Sequence, residues 1–471
     1  MTEDTQQLNS SLTLEQRKAK QEKKRAIKEA KKLASIERLS KRPSSNTFSG
    51  EHKWLGGAID PKTGNIYGIP SHAIEIICIS PPSTGSKEQA EVSTIPLPNQ
   101  YKQGNFKWLR GIIHDGYLYG IPAWSTHGVL KVRLEPKSRH TRGPRVKLLP
   151  LPQTAEFYQT KEPTEELIQR GKVKYSNVDR GRWMWHGGSL QKSHDGDAIY
   201  CIPSNAEHVL KVHIASERVT EIGPALTNGQ NKWYGGIPGR DGCVYGMPYT
   251  ATGVLRIDPK TDSVEVLGEY PIGGYKWHGG LLAHSTGVIY AFPAHANEVL
   301  CVDTNIADED RGNDSSWRVT TIPIQYQSVE TGSHDQQYKW LGGAYGADGC
   351  IYGMPSDATC ILRIDPLKNE ATTFGKVSPL KNKWQGGVLS SVDKCVYAVP
   401  ADMTNILKID TDPETALSID TIGDDFKNVE DKWQGGFLAK DDRIYAIPEN
   451  IDNVMVITPK VGVEASVEMI M

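Results

Sequence analysis

One five-residue pattern, Lys-Trp-x-Gly-Gly, recurs along this chain and constrains its fold more than any other feature. Its eight tryptophans are Trp54, Trp108, Trp185, Trp233, Trp277, Trp340, Trp384 and Trp433. In every copy a tyrosine lies eleven to fifteen residues after the tryptophan, and a proline lies three residues after the tyrosine. An aliphatic pair comes after the proline. A pattern that returns at an interval of about forty-five residues, lengthened only by insertions, indicates a repeat array.

Each repeat is predicted to form four short β-strands. In the fourth repeat we expect strands at 235–239, 243–248, 254–258 and 263–267, and the turn after the first strand contains Asp241-Gly242. An Asp-Gly pair at such a position is typical of a tight hairpin. Four antiparallel strands per unit, with aromatic and glycine landmarks, are the pattern of propeller blades. We therefore predict an all-β fold, an eight-bladed β-propeller of four-stranded antiparallel blades.

The tryptophan and the glycine pair have structural roles in such a ring. The first strand of a blade lies near the axis, where neighbouring blades converge, so glycine removes side chains that would clash. The tryptophan is expected to fill the space between two blades. Because no strand precedes Trp54 and residues 463–470 supply a last fourth strand, we predict closure by packing of blade one on blade eight, without strand exchange. The second copy departs from the pattern, since Arg110 replaces the first glycine.

Residues 1–50 differ in composition from the propeller region at 51–471. They carry 12 Lys and Arg against 6 Asp and Glu, whereas the remaining residues carry 42 against 50. The segment 12–39 lacks Gly and Pro and is rich in helix formers, which predicts a basic, partly helical tail. Its low apolar content predicts that residues 1–45 are dispensable for folding. The alternative is a nuclear-localisation or nucleic-acid contact within residues 12–42.

Composition and the insertions limit the other assignments. The chain has no apolar run long enough for a membrane span and no apolar signal sequence at its start, which predicts an intracellular protein, cytoplasmic or nuclear. Its seven cysteines show no Cys-x-x-Cys spacing, which argues against a zinc or redox site. A polar insertion at 153–182 contains a predicted short helix at 164–170. The closed ring is expected to be monomeric.

The candidate binding residues lie on one face of the predicted propeller. Seven copies place a lysine before the tryptophan, which predicts a ring of cations at the start of the innermost strands, while Met184 replaces it in the third copy. Other polar or aromatic candidates come from the same face. The full set is Lys53, Lys107, Lys232, Lys276, Lys339, Lys383, Lys432, Arg110, His186, His278, His295 and Trp124.

Two interpretations of the lysine ring are open. The ring can attract an anionic ligand or an acidic partner loop, because the fields of several cations add. Alternatively, each lysine pairs with an aspartate or caps a carbonyl group of the neighbouring blade, since nearly perfect repetition is what a joint between blades requires.

The run from Asp241 to Pro259, and its counterpart from Asp348 to Pro366, resembles the repeat of NHL-type, regucalcin-like and virginiamycin-lyase-like propellers. The resemblance covers most of residues 51–471 and implies the propeller architecture, but it implies no particular activity. The chain differs from kelch repeats, in which the glycine pair precedes the tyrosine and tryptophan, and it lacks the Gly-His and Trp-Asp signature of WD repeats.

The sequence leaves three functional classes open. The first is a binding or scaffold protein that presents one propeller face to a protein partner or an anionic ligand. The second is an enzyme of the lactonase or lyase kind, whose axial channel would hold a divalent metal; without that activity no cofactor is expected. The third is a nucleic-acid-associated propeller that uses the basic tail. No P-loop, HExxH or dinucleotide motif is present, so the sequence does not require an enzyme.

Overall fold

The computed structural model describes residues 48–123, 128–135, 145–152, 183–227, 229–305, 318–327, 337–423 and 426–471. The chain divides into two units, Met1–Ser49 and Gly50–Met471. The predicted helices at 12–39 and 164–170, and the whole insertion at 153–182, lie outside the described residues. The strands all belong to the second unit.

Thirty-two strands in the described residues form eight blades of four. The innermost strands are β1 (Trp54–Ile59), β5 (Trp108–His114), β9 (Trp185–Ser193), β13 (Trp233–Pro238), β17 (Trp277–Ala283), β21 (Trp340–Tyr345), β25 (Trp384–Leu389) and β29 (Trp433–Leu438). The second strands are β2 (Ile66–Pro70), β6 (Tyr117–Pro122), β10 (Gly196–Pro203), β14 (Val244–Pro248), β18 (Val288–Pro293), β22 (Ile351–Pro355), β26 (Cys395–Pro400) and β30 (Ile444–Pro448).

The two outer strands of each blade complete the sheets. The third strands are β3 (Glu75–Ser80), β7 (Val129–Arg133), β11 (Val209–His213), β15 (Val254–Asp258), β19 (Glu298–Asp303), β23 (Ile361–Asp365), β27 (Ile406–Asp410) and β31 (Val454–Thr458). The outermost strands are β4 (Glu91–Pro96), β8 (Val146–Leu149), β12 (Val219–Ile222), β16 (Ser263–Leu267), β20 (Val319–Gln325), β24 (Glu370–Phe374), β28 (Ser418–Ile422) and β32 (Ser466–Ile470). A short 3-10 helix lies at Asn99–Tyr101.

The blades form a closed ring, as predicted. The innermost strand of each blade contacts that of the next, and β29 of the last blade contacts β1 of the first. The last sheet consists of β29, β30, β31 and β32, so all four strands of blade eight come from the C-terminal repeat and no strand is exchanged. The chain is therefore an eight-bladed β-propeller of four-stranded antiparallel blades.

Two local features differ from the sequence-based expectation. The outermost strands of blades five and six pair in parallel through Ile324 and Ala371, because β20 continues past the length of the other outer strands.

The Asp-Gly turns differ between blades. Asp115-Gly116 forms the expected two-residue hairpin with positive φ at both positions. Asp241 does not, because its side chain accepts hydrogen bonds from the Cys243 N–H at 3.1 Å and from the Tyr245 hydroxyl at 2.7 Å.

The repeat tryptophans lie in the hydrophobic core between blades. Trp384 of blade seven is 1% exposed and packs in one cluster with Tyr352 and Met354 of blade six. Its indole N–H donates to the carbonyl oxygen of Asn405 at 2.9 Å. All eight tryptophans are buried and make the equivalent bond, which confirms their predicted role between blades.

The glycine pair has two separate causes. The first glycine lies in a β-bulge of the innermost strand with positive φ, for example 74° at Gly56, a conformation that glycine adopts without strain. The second glycine allows close approach, because a Cβ atom on Gly57 would lie 2.4 Å from the carbonyl oxygen of Tyr67 and 2.5 Å from Ile447 of blade eight. Only this second role was predicted.

Candidate functional site at the channel mouth

The lysine positions are joints between blades. In all eight repeats the backbone N–H at this position donates to a carbonyl group in the connection that follows the second strand of the preceding blade, including Met184, which donates to Ala123 at 2.7 Å. The side chains of Lys232, Lys339 and Lys383 extend this contact. Nζ of Lys383 donates to the carbonyl oxygens of Ser356, in blade six, at 2.8 Å and of Leu380 at 2.7 Å.

Burial dominates the electrostatics of these lysines. Six of the seven side chains are buried, and Lys276 is partly exposed. Burial lowers the pKa of Lys53, Lys107, Lys232, Lys276, Lys339 and Lys383 to about 8, and it also lowers the pKa of Lys432. Every one of these ammonium groups donates to a main-chain carbonyl. Three of them, on Lys232, Lys339 and Lys383, reach the preceding blade as the joint interpretation expects, whereas the other four bond a carbonyl group of their own connection. Ligand binding by the lysine ring stays a prediction.

The residue immediately before each of these positions has a left-handed backbone conformation. We call these eight residues the rim: His52, Phe106, Trp183, Asn231, Tyr275, Tyr338, Asn382 and Asp431. Their φ angles lie between 29° and 53°, which is costly for residues other than glycine, asparagine and aspartate. The preceding blade supports this conformation, as when the N–H of Asn382 donates to Oδ1 of Asp357 at 2.8 Å.

The residue after each tryptophan forms a second ring of side chains below the rim. We call it the channel layer: Leu55, Leu109, His186, Tyr234, His278, Leu341, Gln385 and Gln434. Leu55 packs with Leu109, the rings of His186 and Tyr234 stack at 3.8 Å, and the ring of Tyr234 lies 4.9 Å from that of His278. The rings of His186 and His278 are 6.3 Å apart although they belong to blades three and five. These side chains therefore converge on the central channel.

Arg110 is the extra residue of the bulge in blade two. It lies between the pairs Leu109 with Ile121 and Gly111 with Gly120, and its φ is 61°, where the other seven repeats have glycine. Its side chain is accessible to water, but the surrounding protein desolvates the guanidinium enough to lower its pKa. After burial, the charge of Arg110 is the next cause of the lowered pKa of His186 and His278 in the channel layer.

The two imidazoles of the channel layer are neutral at pH 7. Burial, and secondarily the charge of Arg110, lowers the pKa of His278 to about 4 and the pKa of His186 well below its ordinary value. Nδ1 of His186 is buried and has no hydrogen-bond partner among the described residues. The channel layer thus contains two uncharged imidazoles, each able to act as a donor or an acceptor, and Arg110 of blade two, one residue after the layer position Leu109, adds a guanidinium.

A ladder of aromatic rings leads from the channel layer to the rim. Tyr234 stacks on Tyr249 at 4.4 Å, and Tyr249 stacks on Tyr275 of the rim at 4.5 Å. Tyr338 of the next blade follows at 5.9 Å. His295 closes this end, with its ring 5.5 Å from Tyr275 and 4.6 Å from Tyr338.

The structure brings together part of the predicted set. Arg110, His186 and His278 share the channel, and His295 lies at the rim, while the seven lysines lie between blades. Trp124 lies outside the described residues. The site also contains three residues that were not predicted, Tyr249, Tyr275 and Tyr338. A signal for the rim was present, because the residue before the lysine position is aromatic or histidine in five of the eight repeats.

The seam between blades eight and one contains a titratable pair. Nδ1 of His52 lies 2.8 Å from Oε1 of the buried Glu449, and this hydrogen bond raises the pKa of His52 above 6.5. A raised histidine pKa stabilises the fold fully below 6.5, and this contribution is lost as pH rises through the folded-state value. Burial also raises the pKa of Glu449, which acts in the same direction.

The contribution of His52 to the free energy of unfolding should therefore decrease as pH rises above about 6.5, because His52 loses its proton. His52→Asn provides the matched variant, since Asn231 and Asn382 occupy the same rim position with the same left-handed backbone. Urea unfolding at several pH values should show a shallower decrease for the variant. Identical pH slopes would show that the His52–Glu449 pair does not contribute.

The described residues contain neither a candidate membrane span nor a candidate metal cluster. None of their helices is long and apolar enough to span a membrane. Within the same part of the chain, no group of three or more His, Cys, Asp or Glu side chains is arranged to hold a metal ion.

The fold and the channel place the chain in the class of β-propeller proteins. The chain has no significant match to a protein-family model or to a curated protein. It is similar to the solved structure of virginiamycin B lyase from Staphylococcus aureus, with 13% identity, coverage of 87% of this chain and 96% of that chain, and a TM-score of 0.46. A second similar structure is that of AztD from Citrobacter koseri, with 11% identity, coverage of 79% and 88%, and a TM-score of 0.45. These are likenesses of fold at low sequence identity.

Proposed function

We propose that this propeller is a binding protein that holds an anionic group at the mouth of its channel, with Arg110 as the anchor. The observation that carries the proposal is the position of Arg110. A left-handed conformation costs a residue other than glycine about 1–2 kcal/mol, and seven of the eight repeats avoid this cost with glycine. The strained position is where the single arginine projects into the channel.

The charge of Arg110 also lacks compensation nearby. Among the described residues it makes no hydrogen bond and no ion pair, and desolvation lowers its pKa from the ordinary value. The channel layer contains leucine, histidine, tyrosine and glutamine but no carboxylate, and its two imidazoles are neutral. No anion of that layer therefore offsets the charge of the guanidinium. A partly desolvated guanidinium gains strongly from a bound carboxylate or phosphate, because its planar set of donors matches two oxygen atoms.

Arg110→Gly tests the proposal, because it restores the residue found in the other repeats. We expect affinity for small carboxylates and phosphate, measured by isothermal titration calorimetry, to fall at least tenfold, since a hydrogen bond to a charged group contributes about 1.5–3 kcal/mol. The melting temperature should stay the same or rise, because backbone strain is relieved.

Arg110→Lys is the matched control and should retain part of the affinity while losing the bidentate contact. Unchanged anion binding in a folded Arg110→Gly variant would contradict the proposal. A large decrease in its melting temperature would instead assign Arg110 a structural role.

The scaffold form of this proposal requires a protein partner whose acidic loop enters the same mouth. Such a partner would lose affinity with Arg110→Gly as a small ligand does, and its binding would weaken with salt. Contact with nucleic acid through residues 12–42 is a separate proposal, which the channel geometry does not address.

A second candidate function is an enzyme of the lactonase or lyase kind, and the neutral imidazoles favour it. A neutral imidazole can accept a proton from a bound carboxylic acid derivative or from water, and a bound anion that offsets the charge of Arg110 would raise its basicity. Nδ1 of His186, buried and without a described partner, is the candidate base. Turnover of a panel of lactones that His186→Asn abolishes, while binding persists, would support catalysis; binding without turnover would favour the binding protein.

A further inference from the structure

The four tyrosines of the aromatic ladder differ in their hydrogen bonding from the repeat tyrosines of blades four, six and seven. The hydroxyl groups of Tyr245, Tyr352 and Tyr397 in the blades donate to the aspartates 241, 348 and 393 at 2.6–2.8 Å. Among the described residues, no hydrogen bond is formed by the hydroxyl groups of the ladder, which are those of Tyr234, Tyr249, Tyr275 and Tyr338. A buried tyrosine normally finds a partner for its hydroxyl group, which Tyr249 lacks, and the hydroxyl groups of the partly exposed Tyr234, Tyr275 and Tyr338 are likewise not bonded to the described protein.

The rings that carry these hydroxyl groups form a row. Three successive ring pairs are 4.4, 4.5 and 5.9 Å apart, and the first tyrosine stacks on His186, whose pKa the charge of Arg110 lowers. The four hydroxyl oxygens are not fully buried, so a ligand can reach them. Burial, and then the neighbouring phenols, raises the pKa of Tyr234 and Tyr249, so both are neutral donors at pH 7.

The ladder offers its hydroxyl ends and not its ring faces. The faces of Tyr234 and Tyr249 are occupied by stacking on each other and on their neighbours, at 3.8–4.5 Å. A flat aromatic ligand therefore finds no free face between them. A polyanion such as a chain of phosphates would place several negative charges against neutral phenols. Arg110 is the cation at this level that no carbonyl group of the described residues holds, so it can balance only one of those charges.

We infer that the ligand is a carboxylic acid rich in hydroxyl groups, of the acidic-sugar class, with its carboxylate on Arg110 and its hydroxyl oxygens along the row of Tyr234, Tyr249, Tyr275 and Tyr338. The inference rests on the proposed function and specifies its ligand. Neutral phenols are suited to neutral hydroxyl oxygens, which act as both acceptors and donors. Arg110 supplies the charge, and the tyrosines select the hydroxylated body.

Two probes with the same charge and ring size test this assignment. Glucuronate and cyclohexanecarboxylate both carry one carboxylate on a six-membered ring, but only the sugar acid carries hydroxyl groups. Calorimetric titration of the full chain at pH 7 should show tighter binding of glucuronate. Tyr234→Phe and Tyr275→Phe should each weaken glucuronate about two- to tenfold, the effect of one lost hydrogen bond, and leave cyclohexanecarboxylate unchanged.

Phenylalanine preserves the stacked ring, so these variants should remain folded. Tyr270→Phe, whose ring packs on Trp277 away from the ladder, is the matched control and should bind both probes as the natural sequence does. Arg110→Gly should weaken both probes.

Three results would overturn the inference. Equal binding of the two probes, unaffected by the tyrosine substitutions but weakened by Arg110→Gly, would overturn the assignment of the ligand class and leave the anion site intact. Tighter binding of cyclohexanecarboxylate would assign an apolar acid instead. Binding of neither probe, or binding of both that is indifferent to Arg110→Gly, would overturn the inference and the proposed function together.

Discussion

Trp384→Ala should lower the free energy of unfolding by about 3–5 kcal/mol, the range for truncating a buried aromatic side chain. Trp384 is 1% exposed and fills the space between blades six and seven. Its removal leaves a cavity at a joint of the ring and also leaves the carbonyl oxygen of Asn405 without its donor. Equilibrium unfolding in urea, followed by circular dichroism, measures the change.

Trp384→Phe separates the two contributions. Phenylalanine keeps most of the apolar contact but cannot donate to Asn405, so its cost should be well below that of alanine. A stability for Trp384→Ala within about 1 kcal/mol of the natural sequence would show that the blades are held mainly by main-chain contacts, such as the N–H of Lys383 with the carbonyl oxygen of Ser356 at 3.1 Å.

The fold could be predicted because the same pattern of strands and turns recurs in all eight repeats. The strands at 254–258 and 263–267 were predicted with the bounds that the structure has, since β-branched residues and turn signals agree there. The parallel pairing of β20 with β24 could not be predicted. It depends on where two outer strands meet in space, and nothing in the repeat pattern specifies that contact.

The site was predicted only where a residue departs from the repeat. Arg110 was found because it replaces a glycine, and His186 and His278 because their position varies among copies. The rim was missed because its shared feature is the left-handed backbone, and the residue type varies with it. Tyr275 and Asn382 share the conformation but not the chemistry. Tyr249 was missed because its place in the ladder depends on packing against Tyr234 and Tyr275.

Lys383→Met and Lys276→Met should differ in their effect on stability. Lys383 is fully buried, and its Nζ joins the carbonyl oxygen of Ser356 in blade six to that of Leu380. Its loss removes two hydrogen bonds from a charged donor, about 1.5–3 kcal/mol each, partly offset because a buried charge is also removed and because the carbonyl oxygen of Ser356 keeps the N–H of residue 383 as a donor. Lys276 is partly exposed and contacts the carbonyl groups of Pro271 and Gly273 in its own connection, where water can replace it.

We therefore expect Lys383→Met to lower the melting temperature by several degrees and Lys276→Met to change it little, with anion binding per folded molecule preserved in both. Thermal melts beside calorimetric titration of a carboxylate measure the two quantities on the same samples. If the lysines formed the ligand site, the pattern would be reversed: both variants would melt near the natural protein and both would lose affinity. That outcome would move the site from Arg110 to the lysine ring, because a cation that binds ligand contributes to affinity without holding the blades together.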